Sequence, residues 1–399
     1  IRNMHHSESD EKDLLSTWPE SKRLQSALKE KLREMTYTMP GICYEFGPPP
    51  QLPPNFKHLS GSFDNLDQAT NLEAIQELLK AKLHENVLYA TTMLLSHHGY
   101  GVGKAGKKTR PLTPFSLKIW SIRMQVLLGM ARHKELLEEL SIFEELDAPD
   151  LFFQYHSSFN PARAGSMVPF ALRLVHTESL VHSPLPIASI TRLTRLKHQT
   201  QQALRTVEEE TAEGTPILAW KARLRAVSLL EARLLLRIQE LDSCLRIMKD
   251  MDRDGESDDQ DHLAMARVAL VHGDEKAAVS FISEAASSLP TDSAQVQEHR
   301  AFHAIFCGRY TEAKEFLSRE RCSSVSTPSL QNTAALCWLY AGDASTALSL
   351  LLKEVKSCQD SGQQIHSHLI TNIRSLTELV CSTEMKKRVL AEWTDLPIG

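Results

Sequence analysis

Three glycines constrain this chain more than any other feature. Gly273, Gly308 and Gly342 fall 35 and 34 residues apart, in the settings Gly273-Asp274, Gly308-Arg309-Tyr310 and Gly342-Asp343. Each has an alanine seven positions before it (Ala266, Ala301, Ala335) and another five positions after it (Ala278, Ala313, Ala347). A period near 34 with small residues at fixed offsets is the pattern of a tetratricopeptide-type helix–turn–helix repeat. Glycine lets the first helix stop and reverse, and alanine lets two helices cross closely. One hairpin cannot bury its own apolar side, so neighbours must stack. The predicted fold class is all-α: a tetratricopeptide-repeat-like α-solenoid of stacked helix hairpins.

Apolar periodicity predicts further helices over 21–35, 71–82, 86–96, 117–130, 135–146, 167–181, 187–210, 217–238 and 242–249. Placing Trp120 at the repeat's aromatic position puts Ala131 at a turn and Leu136 at a small-residue site, a degenerate early repeat. Two helices near 365–380 and 384–393 are expected to cap the array. Sequence character divides the chain into three parts. Residues 1–60 hold a flexible segment, a short helix and a Pro-rich, aromatic strap. Residues 61–160 hold degenerate helical repeats with a Gly-rich basic loop. Residues 161–399 form the tetratricopeptide-type array, clearest over 258–355. In the first part Pro48, Pro49, Pro50, Pro53 and Pro54 forbid helix, and Tyr37, Ile42, Tyr44, Phe46 and Phe56 are interleaved with them. Such a segment is a linker or a strap laid over its own or a partner's surface.

With 399 residues, a net charge of −5 and no sustained basic stripe, the chain does not read as a nucleic-acid binder. Its seven cysteines are scattered and odd in number, which points to reduced thiols in a cytosolic compartment. No apolar run approaches the length that spans a bilayer and no signal peptide is read; Ile1 suggests a natural chain that continues upstream.

Two motifs invite chemistry. Gly99–Thr109 has P-loop spacing at Gly101 and Gly106-Lys107, but Lys108 replaces the metal-ligating hydroxyl and no strand precedes it. It reads as a mobile basic loop, with Lys104, Lys107, Lys108 and Arg110 available to an acidic partner or anionic lipid. Asp250, Asp252, Asp254, Asp258 and Asp261 fall at EF-hand positions 1, 3, 5, 9 and 12, with Gly255 at 6. Asp261 in place of glutamate and Ser257 in place of an apolar residue favour a solvated acidic linker, with weak calcium binding as the second reading. The histidines do not converge, no nucleophile, acid and base assemble, and neither a cofactor nor catalysis is expected.

Residues 147–178 differ in kind from the helices around them. They read Pro149-Asp150-Leu151-Phe152-Phe153-Gln154-Tyr155, then Pro161, Arg163 and Gly165-Ser166-Met167-Val168-Pro169-Phe170, then Arg173, His176 and Glu178. Ser166 is a candidate helix cap with Pro169 in the first turn, and the aromatics either pack beside that helix or meet a partner. The partner-contact candidates are Phe152, Phe153, Tyr155, Arg163, Met167, Phe170 and Arg173.

With Gly99-Tyr100-Gly101, Ser116-Leu117, Trp120, Arg123 and the repeats through Gly342, this block resembles subunit 12 of the trafficking protein particle (TRAPP) complex over roughly residues 70 to 355. The chain departs from that pattern near Glu240, in the extra acidic residues at 250–261 and in the added lysines of the Gly-rich loop. The resemblance implies a non-catalytic adaptor of a TRAPPIII-type tethering assembly, a Rab-family GTPase exchange factor in ER-to-Golgi transport and autophagy. Its partners would be large peripheral and small core subunits and, indirectly, the GTPase and early secretory membranes. It would be cytoplasmic and peripheral to ER–Golgi intermediate and Golgi membranes. The rival is a free-standing repeat adaptor that clamps peptide termini or chaperones. That mode needs convergent cations on the inner helices, where the first strong repeat offers only Arg267 and the third offers Asn332.

Overall fold

The computed structural model describes residues 17–30, 35–45, 51–52, 55–56, 68–108, 110–161, 163–210, 214–253, 259–290, 293–320, 328–360, 367–384 and 386. Residues 1–12, Phe46, the prolines at 48–50, 53 and 54, Thr109, Asp254, Gly255, Ser257, Asp258 and most of the expected last cap therefore lie outside the described residues. Contacts divide the chain into two compact units, Ile1–Glu240 and Leu241–Gly399. The sequence-character divisions near 60 and 160 both fall inside the first.

In unit 1 the helices are α1 (Lys22–Lys29), α2 (Gln68–Lys80), α3 (His84–His97), α4 (Pro114–Gly129), α5 (His133–Ser141), α6 (Phe170–Ser179), α7 (Ala188–Glu210) and α8 (Gly214–Arg237). Local chemistry sets their ends. Thr113 and Ser116 form a reciprocal capping box at the start of α4, with Pro114 at the first position. Ala131 closes α4 in the left-handed region (φ 57°), where its N–H and that of Arg132 reach back to Leu128 and Leu127. The turn predicted at Ala131 is thus present without glycine. Lys82 (φ 58°) makes the same turn after α2. Trp120 and Phe143 meet edge to face in the core at 5.7 Å, and Arg123 and Glu139 form a fully buried two-pronged ion pair there.

In unit 2, α9 (Leu241–Arg253) precedes three helix pairs: α10 (Asp259–His272) with α11 (Glu275–Ser288), α12 (Ala294–Phe306) with α13 (Tyr310–Glu320), and α14 (Pro328–Tyr340) with α15 (Ala344–Asp360). The helix α16 (Ser367–Val380), in the stretch expected to cap the array, packs on α15. Gly273, Gly308 and Gly342 all have positive φ (91°, 72° and 91°). After each, the next N–H bonds a carbonyl five residues back, at Ala269, Ala304 and Trp338, which closes the helix end. Asp274 and Asp343 then cap the return helices through Ala277 and Thr346. Ala266, Ala278, Ala301, Ala313, Ala335 and Ala347 are all buried at the crossings, where a larger side chain has no room.

One repeat earlier the pattern persists without its signature residue. Gln239 lies 34 residues before Gly273 and has φ 64°; its N–H and that of Glu240 make the same closing bonds, to the Leu236 and Leu235 carbonyls. Ala232 and Cys244 occupy its two small-residue offsets, and both are buried.

Candidate functional site

The strap folds back over its own unit. Ser21 starts α1 by accepting the Leu24 N–H, and its hydroxyl donates to the Asp147 carbonyl at 2.7 Å. Asp150, buried in the Pro149–Leu151 turn, accepts Tyr37 N–H at 3.1 Å, Thr38 N–H at 2.7 Å and the Thr38 hydroxyl at 2.8 Å. Burial pushes the Asp150 carboxyl up from its ordinary range, and the bonds from Thr38 and Tyr37 partly offset this. The Tyr155 hydroxyl donates to the Met35 carbonyl, and its ring meets Tyr37 edge to face at 5.9 Å. Of the two sequence readings, linker or strap, residues 35–45 are a strap on this chain's own surface.

The Gly-rich loop is the strap's seat. Gly103 N–H donates to Ile42 O and Gly106 N–H to Met39 O, while Ile42 N–H donates to Tyr100 O. A Cβ on Gly41 would lie 2.1 Å from the Ala105 nitrogen, so only glycine permits this approach. Of the backbone donors a phosphate cradle would need, those of Gly103 and Gly106 are spent on the strap and those of Lys104 and Lys107 on carbonyls of the loop itself. The segment is a docked loop rather than the mobile one expected, and Lys104, Lys107 and Lys108 face solvent from it.

The 149–178 block is mainly interior. Phe152 pairs with Ser166 in an isolated antiparallel bridge, backed by Phe153 N–H to Gly165 O and Met167 N–H to Leu151 O. Phe152, Phe153, Tyr155, Met167, Phe170 and Arg173 are all buried; Arg163 is exposed and lies 4.5 Å over the Phe153 ring. Trp18, Phe170 and Trp220 form a three-ring cluster with centroids 6.2 to 6.4 Å apart. The Arg173 guanidinium sits 3.9 Å over Trp18 and donates to Ser166 Oγ at 2.7 Å. Burial, then the charge of Arg223, lowers its pKa to about 9, which leaves it charged at neutral pH. Contrary to the expectation from sequence, Ser166 does not cap α6: Pro169 precedes the first turn and Ser166 anchors Arg173 instead. Six of the seven partner-contact candidates thus shape the unit from inside.

The acidic segment splits between two helices. Asp250 on the last turn of α9 pairs with Arg253, Asp252 bonds His262 at 2.8 Å, and Asp261 lies in the first turn of α10. Asp254 and Asp258 lie outside the described residues.

A surface feature escaped the sequence reading. Val271, Phe306 and Tyr340 each stand two residues before a repeat glycine, and all three are exposed, by 71%, 45% and 60%. Tyr340 stacks on Tyr310 with centroids 5.1 Å apart. One large apolar residue per repeat thus stands exposed at one register, a periodic apolar ridge.

Comparison with known proteins supplies the relationship. Over 313 residues the chain is 29% identical to mouse trafficking protein particle complex subunit 12 and 28% identical to the human protein. This chain is a sequence relative of subunit 12. The alignments cover 74% of the chain but 39% and 42% of those proteins, so it spans about two fifths of their length. No protein-family model matches it. A tetratricopeptide repeat protein from Parabacteroides merdae aligns over 79% of this chain and 100% of its own at 10% identity and a TM-score of 0.45. Of the residues in unit 1 that carried the resemblance to subunit 12, Tyr100, Trp120, Arg123, Phe152 and Arg173 are buried, and Asp150 holds the strap at Thr38.

Proposed function

We propose that this chain is a non-catalytic scaffold subunit of a vesicle-tethering assembly of the trafficking protein particle type. The relationship to subunit 12 carries this reading. The assembly would be of TRAPPIII type and act as a Rab-family GTPase exchange factor in ER-to-Golgi transport and autophagy. This subunit would join large peripheral subunits to the small core subunits that exchange nucleotide. Among the described residues no helix is long and apolar enough to cross a membrane, which agrees with attachment through partners at Golgi and intermediate membranes from the cytoplasmic side. The apolar ridge supports an interaction role, since anchors spaced along an array suit a large interface. Arg163, exposed above the buried block, is the one early contact candidate that faces outward.

The test is a native pull-down of the tagged chain, with size exclusion and mass spectrometry of the eluate. Co-elution with core and large tethering subunits in one high-mass peak is expected. Recovery as a monomer, or with chaperones alone, would overturn the reading in favour of a free-standing repeat adaptor.

A further inference from the structure

We infer that unit 2 carries a zinc-class metal site formed by Glu275, His303 and Cys307, at the junction between its first and second glycine-marked helix pairs. His303 and Cys307 are four residues apart at the end of α12, so they share a helix face. Glu275 is the first residue of α11, on the neighbouring pair. The three donor atoms form a closed triangle. His303 Nε2 is 2.9 Å from Glu275 Oε1, Cys307 Sγ is 3.3 Å from the same oxygen, and Sγ is 3.5 Å from Nε2. These edges suit one tetrahedral ion, which stands about 2.0–2.3 Å from nitrogen, oxygen and sulfur ligands. An ion placed over the triangle would need no helix to move. An imidazole, a thiolate and a carboxylate are donors that zinc accepts together, and a thiolate disfavours magnesium and calcium.

Repeat geometry does not require the trio. One repeat later the corresponding residues are Tyr310, Cys337 and Ala341, and one repeat earlier Leu241, Val268 and His272. A set of three ligands leaves the fourth position to water on the solvent side, since Glu275 and Cys307 are exposed. Binding converts the Cys307 thiol to a thiolate and releases its proton to solvent. Arg309, which pairs with Glu312 at 2.7 Å and also reaches Cys307, would have to give up that contact to the ion. The ion would tie the start of α11 to the end of α12 and so link successive pairs. Nothing in this inference depends on the tethering role.

A second cluster, Asp252, His262 and Glu284, provides the internal comparison because it lacks sulfur. The test is a titration of the reduced, metal-free full chain with cobalt(II), then zinc, read by absorption and by thermal melting. Expected are a sulfur-to-cobalt charge-transfer band that zinc abolishes and a melting point raised by zinc. Cys307→Ser should remove the band, and His303→Ala should weaken binding about ten-fold or more, both with unchanged helical circular dichroism. Three results would each overturn the proposal: no charge-transfer band in the parent chain, an unchanged band in Cys307→Ser, or undiminished affinity in His303→Ala. Cobalt binding without the band would place the metal on oxygen and nitrogen donors such as the second cluster.

Discussion

Asp150 holds Thr38 with both carboxylate oxygens, one on the backbone N–H at 2.7 Å and one on the hydroxyl at 2.8 Å, across 112 residues of sequence. The pair fixes where the strap crosses unit 1. Asp150→Ala leaves two strap N–H groups without their acceptor and should cost about 1–3 kcal/mol. Thr38→Val removes a single bond and should cost about 1 kcal/mol. Denaturant midpoints together with hydrogen exchange at residues 37–42 check this; unchanged protection in Asp150→Ala would show that the strap is held by other contacts.

Protonation should matter at the same pair. The Asp150 carboxyl pKa is raised by burial, so the folded state takes up a proton more readily than the unfolded chain. Its contribution is full below the ordinary carboxylate pKa and is lost as pH rises through the raised value. Asp150→Asn should therefore flatten that part of the stability–pH profile on the low-pH side, as read by melting in matched buffers.

His176 works in the opposite sense. Burial first, then the charge of Arg192, lowers its pKa to about 3, while its Nε2 contacts the Glu144 carbonyl. The unfolded chain binds a proton near pH 6.5 and the folded one does not, so this contribution is lost as pH falls from about 6.5 toward 3. The expected slope is about 1.4 kcal/mol per pH unit for one group. His176→Gln keeps a donor without titrating and should make acid unfolding less steep.

Breaking the Arg123–Glu139 pair should be the most damaging single polar change. Both side chains are fully buried and joined at 2.7 and 2.9 Å, and Arg123 also reaches Thr92 at 2.9 Å. Glu139→Gln leaves a buried guanidinium without its counter-charge, at a cost of about 3–5 kcal/mol. A joint Arg123→Met, Glu139→Leu replacement should recover most of it in chemical denaturation.

Turns without glycine offer the converse. Gln239→Gly and Ala131→Gly relieve left-handed backbone at φ 64° and 57° and should each stabilise by about 1 kcal/mol. Gly308→Ala should destabilise by a similar amount. Melting temperatures that shift the other way would argue that neighbouring contacts, and not φ, set these positions.

Joint replacement of Val271, Phe306 and Tyr340 by aspartate should abolish co-elution with tethering subunits while leaving helical circular dichroism intact. Retained assembly would move the interface elsewhere.

The legible part of the fold was the part where one residue does one job. Gly273, Gly308 and Gly342 announce turns because left-handed backbone favours glycine, and the six alanines announce crossings because only a methyl group fits. Gln239 performs the same turn with a residue that carries no such mark, so no turn could be read there from the sequence. The strap's path was not legible, since no local pattern encodes a bond between Thr38 and Asp150. The aromatic block could be read either as packing beside its helix or as a partner surface, because composition reports apolar content and not which side is covered. The ridge of Val271, Phe306 and Tyr340 was readable from the glycine register, but required asking which residues a repeat leaves outside.

The strap also imposes an order of events on synthesis. Trp18 stacks on Trp220, so an early part of the chain waits for a partner 202 residues downstream. At about 5–20 residues per second that delay is about 10–40 s, during which Trp18 lacks its stacking partner. The glycine-marked pairs close within one period of leaving the ribosome. The earlier of the two units would thus be completed late, and the segment around Trp18 is where a nascent-chain chaperone would find a long-lived apolar target.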